Sequence, residues 1–399
     1  MASLAKCPID SGRDDRKTAV AYEQGVSFKP GSEVVRDADG VKSVLRNASL
    51  VQDALDAAAM KQLQPDEIPL IFLDGKMHRE RRKHITDFFS PRSIKEKFAP
   101  LMEKTADILV GELEQTKKLR IDEASWQMAV TLVGELIGVT RGKSRAQMKQ
   151  TAKRIERFLY RTHMSDLKGW RLAIARGRAA LYVMDFLIRD VRPTVKARRK
   201  APQDDVISRL VAENYTEKAI LIDAMTLCGA GMQTTREFIS LVAWHLLDND
   251  DLRRQFMEGD YDAQMAILEE ILRLEPIVST LYRRAPDDLP EKVANPLAVA
   301  GHSYAVSLRH ANIDPAAVGE CPFALDPARK ERQQDQGAFL SFGNGMHRCP
   351  GSPLALNETL ALMNRLLKVK GLKLASKPQV HWVPHLATFE IRDVLVTCD

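Results

Sequence analysis

Residues 216–247, TEKAILIDAMTLCGAGMQTTREFISLVAWHLL, constrain the fold more than any other stretch. Apolar side chains fall on nearly every side of a helical period, so the stretch reads as a helix that must be buried. Thr216 can cap it, and Glu217 suits its first turn. Such a helix is about 48 Å long at 1.5 Å per residue, and burying it calls for a large helical body. Its centre is weakened, because Gly229 and Gly231 each cost about 1 kcal/mol relative to Ala in a helix. The hydroxyls of Thr234 and Thr235 follow at once. A buried helix made weak and polar at its midpoint marks a site.

Composition fits that body. The chain has 399 residues, 45% of them hydrophobic and only 6% aromatic, which favours helices over a β-sandwich. Helical periodicity runs from about 76 to 275. Short β-like pieces come late, at 295–306 and 388–397, and 196–205 reads as a loop. There is no repeat, low-complexity tract or Gly/Ser linker. The expectation is one mainly α domain with a small β region over 1–399, with 1–20 a flexible N-terminal segment. No apolar run approaches the roughly 18–20 residues of a membrane helix, and the N-terminus lacks a signal-peptide apolar region. Five scattered cysteines (Cys7, Cys228, Cys321, Cys349, Cys398) form no CxxC and no disulfide-like framework. The chain therefore reads as soluble, with no membrane partner, and as cytoplasmic. Net charge is +6, but residues 141–200 hold 18 Lys/Arg against 4 Asp/Glu, a local +14 that leaves −8 elsewhere. Solvated helix faces, or a basic surface for an acidic partner or anionic substrate, account for that block. No aromatic stacking pattern accompanies it, so nucleic acid is not expected as a partner.

The second informative stretch is 339–355, FLSFGNGMHRCPGSPLA. Ser352 is a plausible N-cap and Pro353 suits the first turn of a helix. Leu356, Leu360, Met363 and Leu367 share one face of that helix. Cys349 thus stands just before a helix N-terminus, where dipole and free N–H groups favour a thiolate. Gly343, Gly345 and Gly351 clear side chains from around the sulfur, so that a broad flat ligand can approach. No other cysteine has zinc-ligand spacing to Cys349. A lone thiolate in a glycine cradle suits an axial ligand of haem iron. A nucleophilic or redox cysteine without haem is the other reading, with His347 two residues away.

Residues 342–351, FGNGMHRCPG, resemble the haem-binding loop of the cytochrome P450 family, Phe-Gly-x-Gly-x-x-x-Cys-x-Gly, and match every fixed position from Phe342 to Gly351. EEILRLEP (269–276) contains Glu270-x-x-Arg273, similar to the family's Glu-x-x-Arg pair, and the resemblance makes Arg329 of FALDPARK its third member. AGMQTT (230–235) is similar to the family's oxygen-binding segment. Ala230 and Gly231 would thin the helix there, and Thr234, beside Thr235, would be the hydroxyl that meets dioxygen. His78 and Arg82 of HRERRKH, Arg283 of LYRRAPDD, and His347 match the cations that hold the haem propionates. The resemblance covers the chain from about residue 60 onward. It implies a single-domain P450-like fold with a long central buried helix over the haem, and haem b (iron protoporphyrin IX) held by Cys349, the metal ligand.

Two positions depart from the family pattern. Gln233 stands where an acid usually precedes the threonine, and a carboxamide is no general acid at neutral pH. Water with Thr234, a substrate carboxylate, or use of peroxide could make up for it. Pro350 removes one N–H from beside the sulfur. The implied reaction is insertion of one atom of O2 into a small-to-medium, largely apolar substrate, with an anionic substrate suggested by the basic block. Electrons would come from a separate ferredoxin and ferredoxin reductase, since the chain shows no flavin or iron–sulfur motif, and the basic segment 78–84 would be the docking surface. The alternatives are a peroxide-driven or atypical haem-thiolate oxidase and a non-catalytic haem-thiolate sensor.

Overall fold

The structure, a computed structural model, describes residues 14–53, 63–160, 167–287, 297, 299–319, 321–329 and 340–399. The longer helices, in chain order, are α1 (Ala19–Gly25), α2 (Ala38–Arg46), α3 (Gly75–Thr86), α4 (Ala99–Thr116), α5 (Ile121–Ile137), α6 (Arg145–Tyr160), α7 (Gly169–Phe186), α8 (Arg192–Lys200), α9 (Val206–Ala212), α10 (Glu217–Leu227), α11 (Thr234–Asp248), α12 (Asp250–Glu258), α13 (Tyr261–Leu274) and α14 (Ser352–Leu366). The strands are short: β1 (Ser32–Val35), β2 (Val51–Gln52), β3 (Lys118–Arg120), β4 (Thr280–Arg284), β5 (Ser303–Ser307), β6 (Lys373–Leu374), β7 (Gln379–Val383), β8 (Thr388–Arg392) and β9 (Leu395–Thr397). The fold is mainly α with a small β region.

The central rod is present and buried, but it is not one regular helix. α10 passes into a π segment, Cys228–Gln233, and then into α11. The π turn falls on the two glycines, where extra backbone freedom lets the ladder widen to i→i+5 bonds. Thr216 caps α10 as expected, accepting from Ala219 N at 3.1 Å. α5 lies along α11 and the π segment, and α4 along α14. These surfaces merge into one core running from Ile85 to Val396.

A second, smaller core is the one that aims the cysteine loop. Ala38, Val41, Val44 and Leu45 of α2 pack with Tyr304 and Val306 of β5 and with Leu340, the first described residue of the loop. Beneath them lies a four-stranded sheet in the order β1-β5-β4-β2. β1 runs parallel to β5, while β4 pairs antiparallel with β5 and β2, setting Arg283 opposite Gln52.

Several sequence expectations need correction. α8 extends to Lys200, so the 196–205 loop is half helix. Gly351, not Ser352, is the N-cap of α14, with Ser352 in the first turn ahead of Pro353. Within 295–306 only Ser303–Ser307 form a strand among the described residues, and 388–397 splits into β8 and β9. The flexible N-terminal segment does not reach residue 20, because Thr18 is fully buried and donates its N–H to Glu275 at 2.6 Å. Residues 1–13 lie outside the described residues. Cys321 is disulfide-bonded, against the expectation of unpaired cysteines.

Candidate active site

The cysteine loop is a tight backbone structure. Gly343 N donates to Leu340 O at 2.7 Å, and Cys349 N donates to Phe342 O at 2.8 Å. Gly343 and Gly345 have φ of 69° and 67°, a left-handed backbone that glycine adopts without strain. At Gly345 the need is doubled, since a Cβ would stand 2.5 Å from the carbonyl oxygen of Leu45 in α2. That glycine therefore serves helix docking rather than ligand access. Gly351 has ordinary helical φ, but a Cβ there would stand 3.8 Å from the Cys349 sulfur and 3.7 Å from Phe89. This is the cradle position.

Cys349 has an open face, yet burial still pushes its thiol pKa up. The N–H groups of Gly351 and Ser352 and the Arg82 and Arg348 cations oppose that rise without reversing it. The helix N-terminus alone therefore does not offset the burial of the sulfur. Although Pro350 lacks an N–H, the next two residues supply donors.

Near the loop stand four basic side chains, Arg82, His78, His347 and Arg283. Arg82 donates to Met346 O at 3.2 Å and Arg348 O at 2.5 Å, so it clamps the loop itself. His78 is only 2% exposed, and its Nδ1 has no partner. Its ring lies against that of His347 with centroids 4.1 Å apart. Burial, then His347 and Arg82, drives the His78 pKa down to about 4. Arg283 is 3% exposed and donates to Gln52 Oε1 and to its neighbour's carbonyl Tyr282 O, the latter at 2.9 Å. Burial lowers even its guanidinium pKa to about 10, against the pull of Asp74. The sequence reading missed Asp74, which pairs with His347 Nε2 at 2.9 Å and accepts from Gln52 N at 3.0 Å.

Glu270, Arg273 and Arg329 come together as a buried triad. Arg273 makes two bonds of 2.8 Å to the two Glu270 oxygens, and Arg329 Nε reaches Glu270 Oε1 at 3.2 Å. Arg273 also holds Asn312 O at 2.8 Å. Asn312 in turn binds Ser341 Oγ at 2.7 Å and Leu340 N at 2.9 Å. The triad is thus tied to the start of the cysteine loop.

On the central rod, Thr234 Oγ1 donates to Ala230 O at 2.7 Å, the i−4 bond open to any helical threonine. Ala230 is exposed, whereas Gln233 and Thr235 are buried. Leu159 of α6 approaches Gly229 in the π segment. The sequence reading also missed Glu358 of α14. It is fully buried, neither carboxyl oxygen reaches a hydrogen bond, and burial raises its pKa well above the usual carboxylate range. The signal was available, because Glu358 sits four residues from both Leu354 and Leu362 on a buried face. A groove of about 380 Å³ between α4, α5 and α6 shares no residue with this site.

These features fit a haem. An open sulfur beside a missing Cβ, an unsatisfied buried imidazole nitrogen, and a buried guanidinium match a flat iron-bearing ring with two carboxylates. Fold and site together define a haem-thiolate oxidoreductase.

Comparison with known proteins gives the same class. The cytochrome P450 family model matches residues 16–258 and 264–382, and the chain belongs to that family. A steroid C26-monooxygenase of Mycobacterium tuberculosis is 25% identical over 368 residues, 88% of this chain and 86% of that protein. A nocardicin C N-oxygenase of Nocardia uniformis is 27% identical over 358 residues, covering 86% of this chain and 84% of that one. Substrate-free CYP109E1 from Bacillus megaterium superimposes with a TM-score of 0.76 at 21% identity, over 96% of this chain and 99% of that chain. The protein is a cytochrome P450 monooxygenase.

Proposed function

We propose that this chain binds haem b through Cys349 and inserts one atom of O2 into a small-to-medium, largely apolar organic substrate, with electrons from a separate ferredoxin and its reductase. The observation that carries the reading is the open Cys349 sulfur in a loop clamped by Arg82, beside the buried donors His78 and Arg283. Bound haem would supply the iron at which dioxygen is activated. Arg283 would offset the charge of its propionates and His78 and His347 would hydrogen-bond them, with Asp74 fixing the His347 ring. Gly351 leaves room for the ring at the sulfur, and Phe342 sets the Cys349 backbone. Ala230, exposed on the π segment, would face the ring, whereas Gly231 admits Val133 of α5, which a Cβ would meet at 3.0 Å. Thr234 would turn its hydroxyl from the Ala230 carbonyl toward dioxygen and pass on a proton from water. Gln233 can orient that water but cannot be the acid.

The suggestion of an anionic substrate loses its footing, since Lys149, Lys153 and Arg157 of α6 and Arg171, Arg176 and Arg178 of α7 are exposed. The ferredoxin face also narrows. Arg81 turns inward to Asp223 at 2.5 Å and Arg82 into the loop, which leaves Arg79 and Lys83 of α3, with Arg348, as the exposed cations for an acidic donor. The test is turnover of an apolar substrate library with a surrogate ferredoxin and reductase under ¹⁸O2. One label per product, at a rate that falls as salt rises, is the expected result. Product without label would overturn the reading. Gln233→Glu should improve the coupling of electron use to product, and unchanged coupling would remove Gln233 from the account of proton delivery.

A further inference from the structure

Helix α7 carries two apolar faces, and only one of them is covered. Leu172, Ala175, Ala179, Tyr182, Val183 and Phe186 are buried or half-buried against the protein. On the opposite side Trp170, Ile174, Leu181, Met184 and Ile188 are 69, 53, 68, 49 and 50% exposed. With Gly177 they follow a 4-3-4-3-4 spacing from residue 170 to residue 188, which continues into the π segment Leu187–Val191. That is the period of a helix–helix seam. At 1.5 Å per residue the stripe is about 27 Å long. Its five large side chains expose on the order of 600 Å² of surface, near the top of what an unpartnered monomer shows.

The flanks say what would cover it. Arg171, Arg178 and Arg189 lie roughly 100° round the helix from the stripe and are exposed. Asp185, paired with Arg189 at 2.6 Å, is the one acid on α7, and residues 167–184 contain none. The other flank is small, Ala173 and Ala180 with Gly177 between them, so a partner backbone can come close. α6, packed alongside, exposes a second cationic row at Arg145, Lys149, Lys153 and Arg157. A second copy of this chain would bring like charges together. A lipid surface would not call for a small-residue groove. We propose that the α7 stripe is the docking face for an acidic amphipathic helix of a partner protein. Occupancy there lies one helix away from the oxygen-binding segment, because α6 packs on α7 and its Leu159 abuts Gly229.

The test uses the haem-loaded full chain and two labelled synthetic helical peptides. Both carry Leu at 4-3-4-3 spacing, one with Glu at the remaining surface positions and the other with Lys. The acidic peptide should bind with a blue shift of tryptophan emission that is lost in Trp170→Phe, and its binding should weaken as salt is raised. Leu181→Glu, and separately Arg171→Glu with Arg178→Glu, should each weaken it by about tenfold or more. These side chains are exposed, so the carbon monoxide spectrum should stay unchanged and report an intact fold. Equal binding of the two peptides, or binding that survives Leu181→Glu, would overturn the proposal. So would a wild-type dimer that Leu181→Glu renders monomeric, which would make a second copy the occupant. Sedimentation with phosphatidylglycerol vesicles in the absence of peptide binding would overturn it in favour of a lipid surface.

Discussion

Three glycines flank Cys349, and each is there for a different reason. Gly343 supplies a left-handed turn, Gly345 admits the backbone of α2, and Gly351 clears space at the sulfur. Gly345→Ala should therefore be the most damaging of the three alanine replacements. It combines a left-handed Cβ with a clash against Leu45 O, and a loss of about 3 kcal/mol is expected in urea unfolding. Gly351→Ala should leave stability nearly intact and instead lower haem retention. Equal stability losses at the two positions would contradict this division. The glycine pattern and the cysteine were readable in the sequence because backbone geometry demands particular residue types at particular spacings. The reason for Gly345 was not, since Leu45 lies three hundred positions away in the chain. Asp74 was missed for a similar reason. Its meaning comes from His347 and Gln52, which only the fold brings to it.

At the scale of elements, the triad makes α13 and the cysteine loop one mechanical unit. Glu270 is shared between two buried guanidinium groups, and Arg273 passes its hold through Asn312 to Ser341 and Leu340. Glu270→Gln removes the carboxylate charge that both buried guanidinium groups share, and the expected cost is roughly 3–5 kcal/mol. Thermal melts should show that loss together with a lower haem content. A stable variant with full haem would mean the triad does not brace the loop. The i, i+3 spacing of Glu270 and Arg273 could be read from the sequence as a helix pair. Arg329 entered only through the family resemblance, because nothing local connects it to Glu270. The π segment was unreadable for another reason. Helix propensity scores Gly229 and Gly231 as weak points but does not say that the ladder will widen there.

At the scale of the molecule, the N-terminal segment is locked to the far end of the central bundle by one buried carboxylate. Glu275 accepts from Thr18 N at 2.6 Å and Lys17 N at 2.9 Å and pairs with His245 at 2.7 Å. Burial would raise its pKa, but His245, Arg309 and Thr18 outweigh that and hold it at about 2, below its ordinary 4.5. A depressed carboxylate stabilises the fold above pH 4.5 and loses that contribution as pH falls toward 2. Glu275→Gln should cost roughly 3 kcal/mol at neutral pH. It should also flatten the stability profile between pH 4.5 and 2, where the wild type declines. A variant whose stability falls as steeply as the wild type across that window would show that Glu275 is not the titrating group. The charge asymmetry belongs to this scale as well. The basic block 141–200 was plain in the sequence, and its cations on α6 and α7 proved exposed except Arg154, which turns in to Asp190 at 2.6 Å. The uncovered stripe on α7 was not plain, because a helix with two apolar faces does not reveal which one the core takes.

The central proposal is that Cys349 is the axial ligand of a haem. The most direct measurement is the absorption spectrum of the purified, dithionite-reduced protein with and without carbon monoxide, in wild type and in Cys349→His. The account predicts a strongly red-shifted Soret band in the wild type, the mark of a thiolate opposite carbon monoxide, and its loss in the variant with haem still bound. A wild-type protein that stays colourless after haem is supplied, or a red-shifted band that persists in Cys349→His, would contradict it.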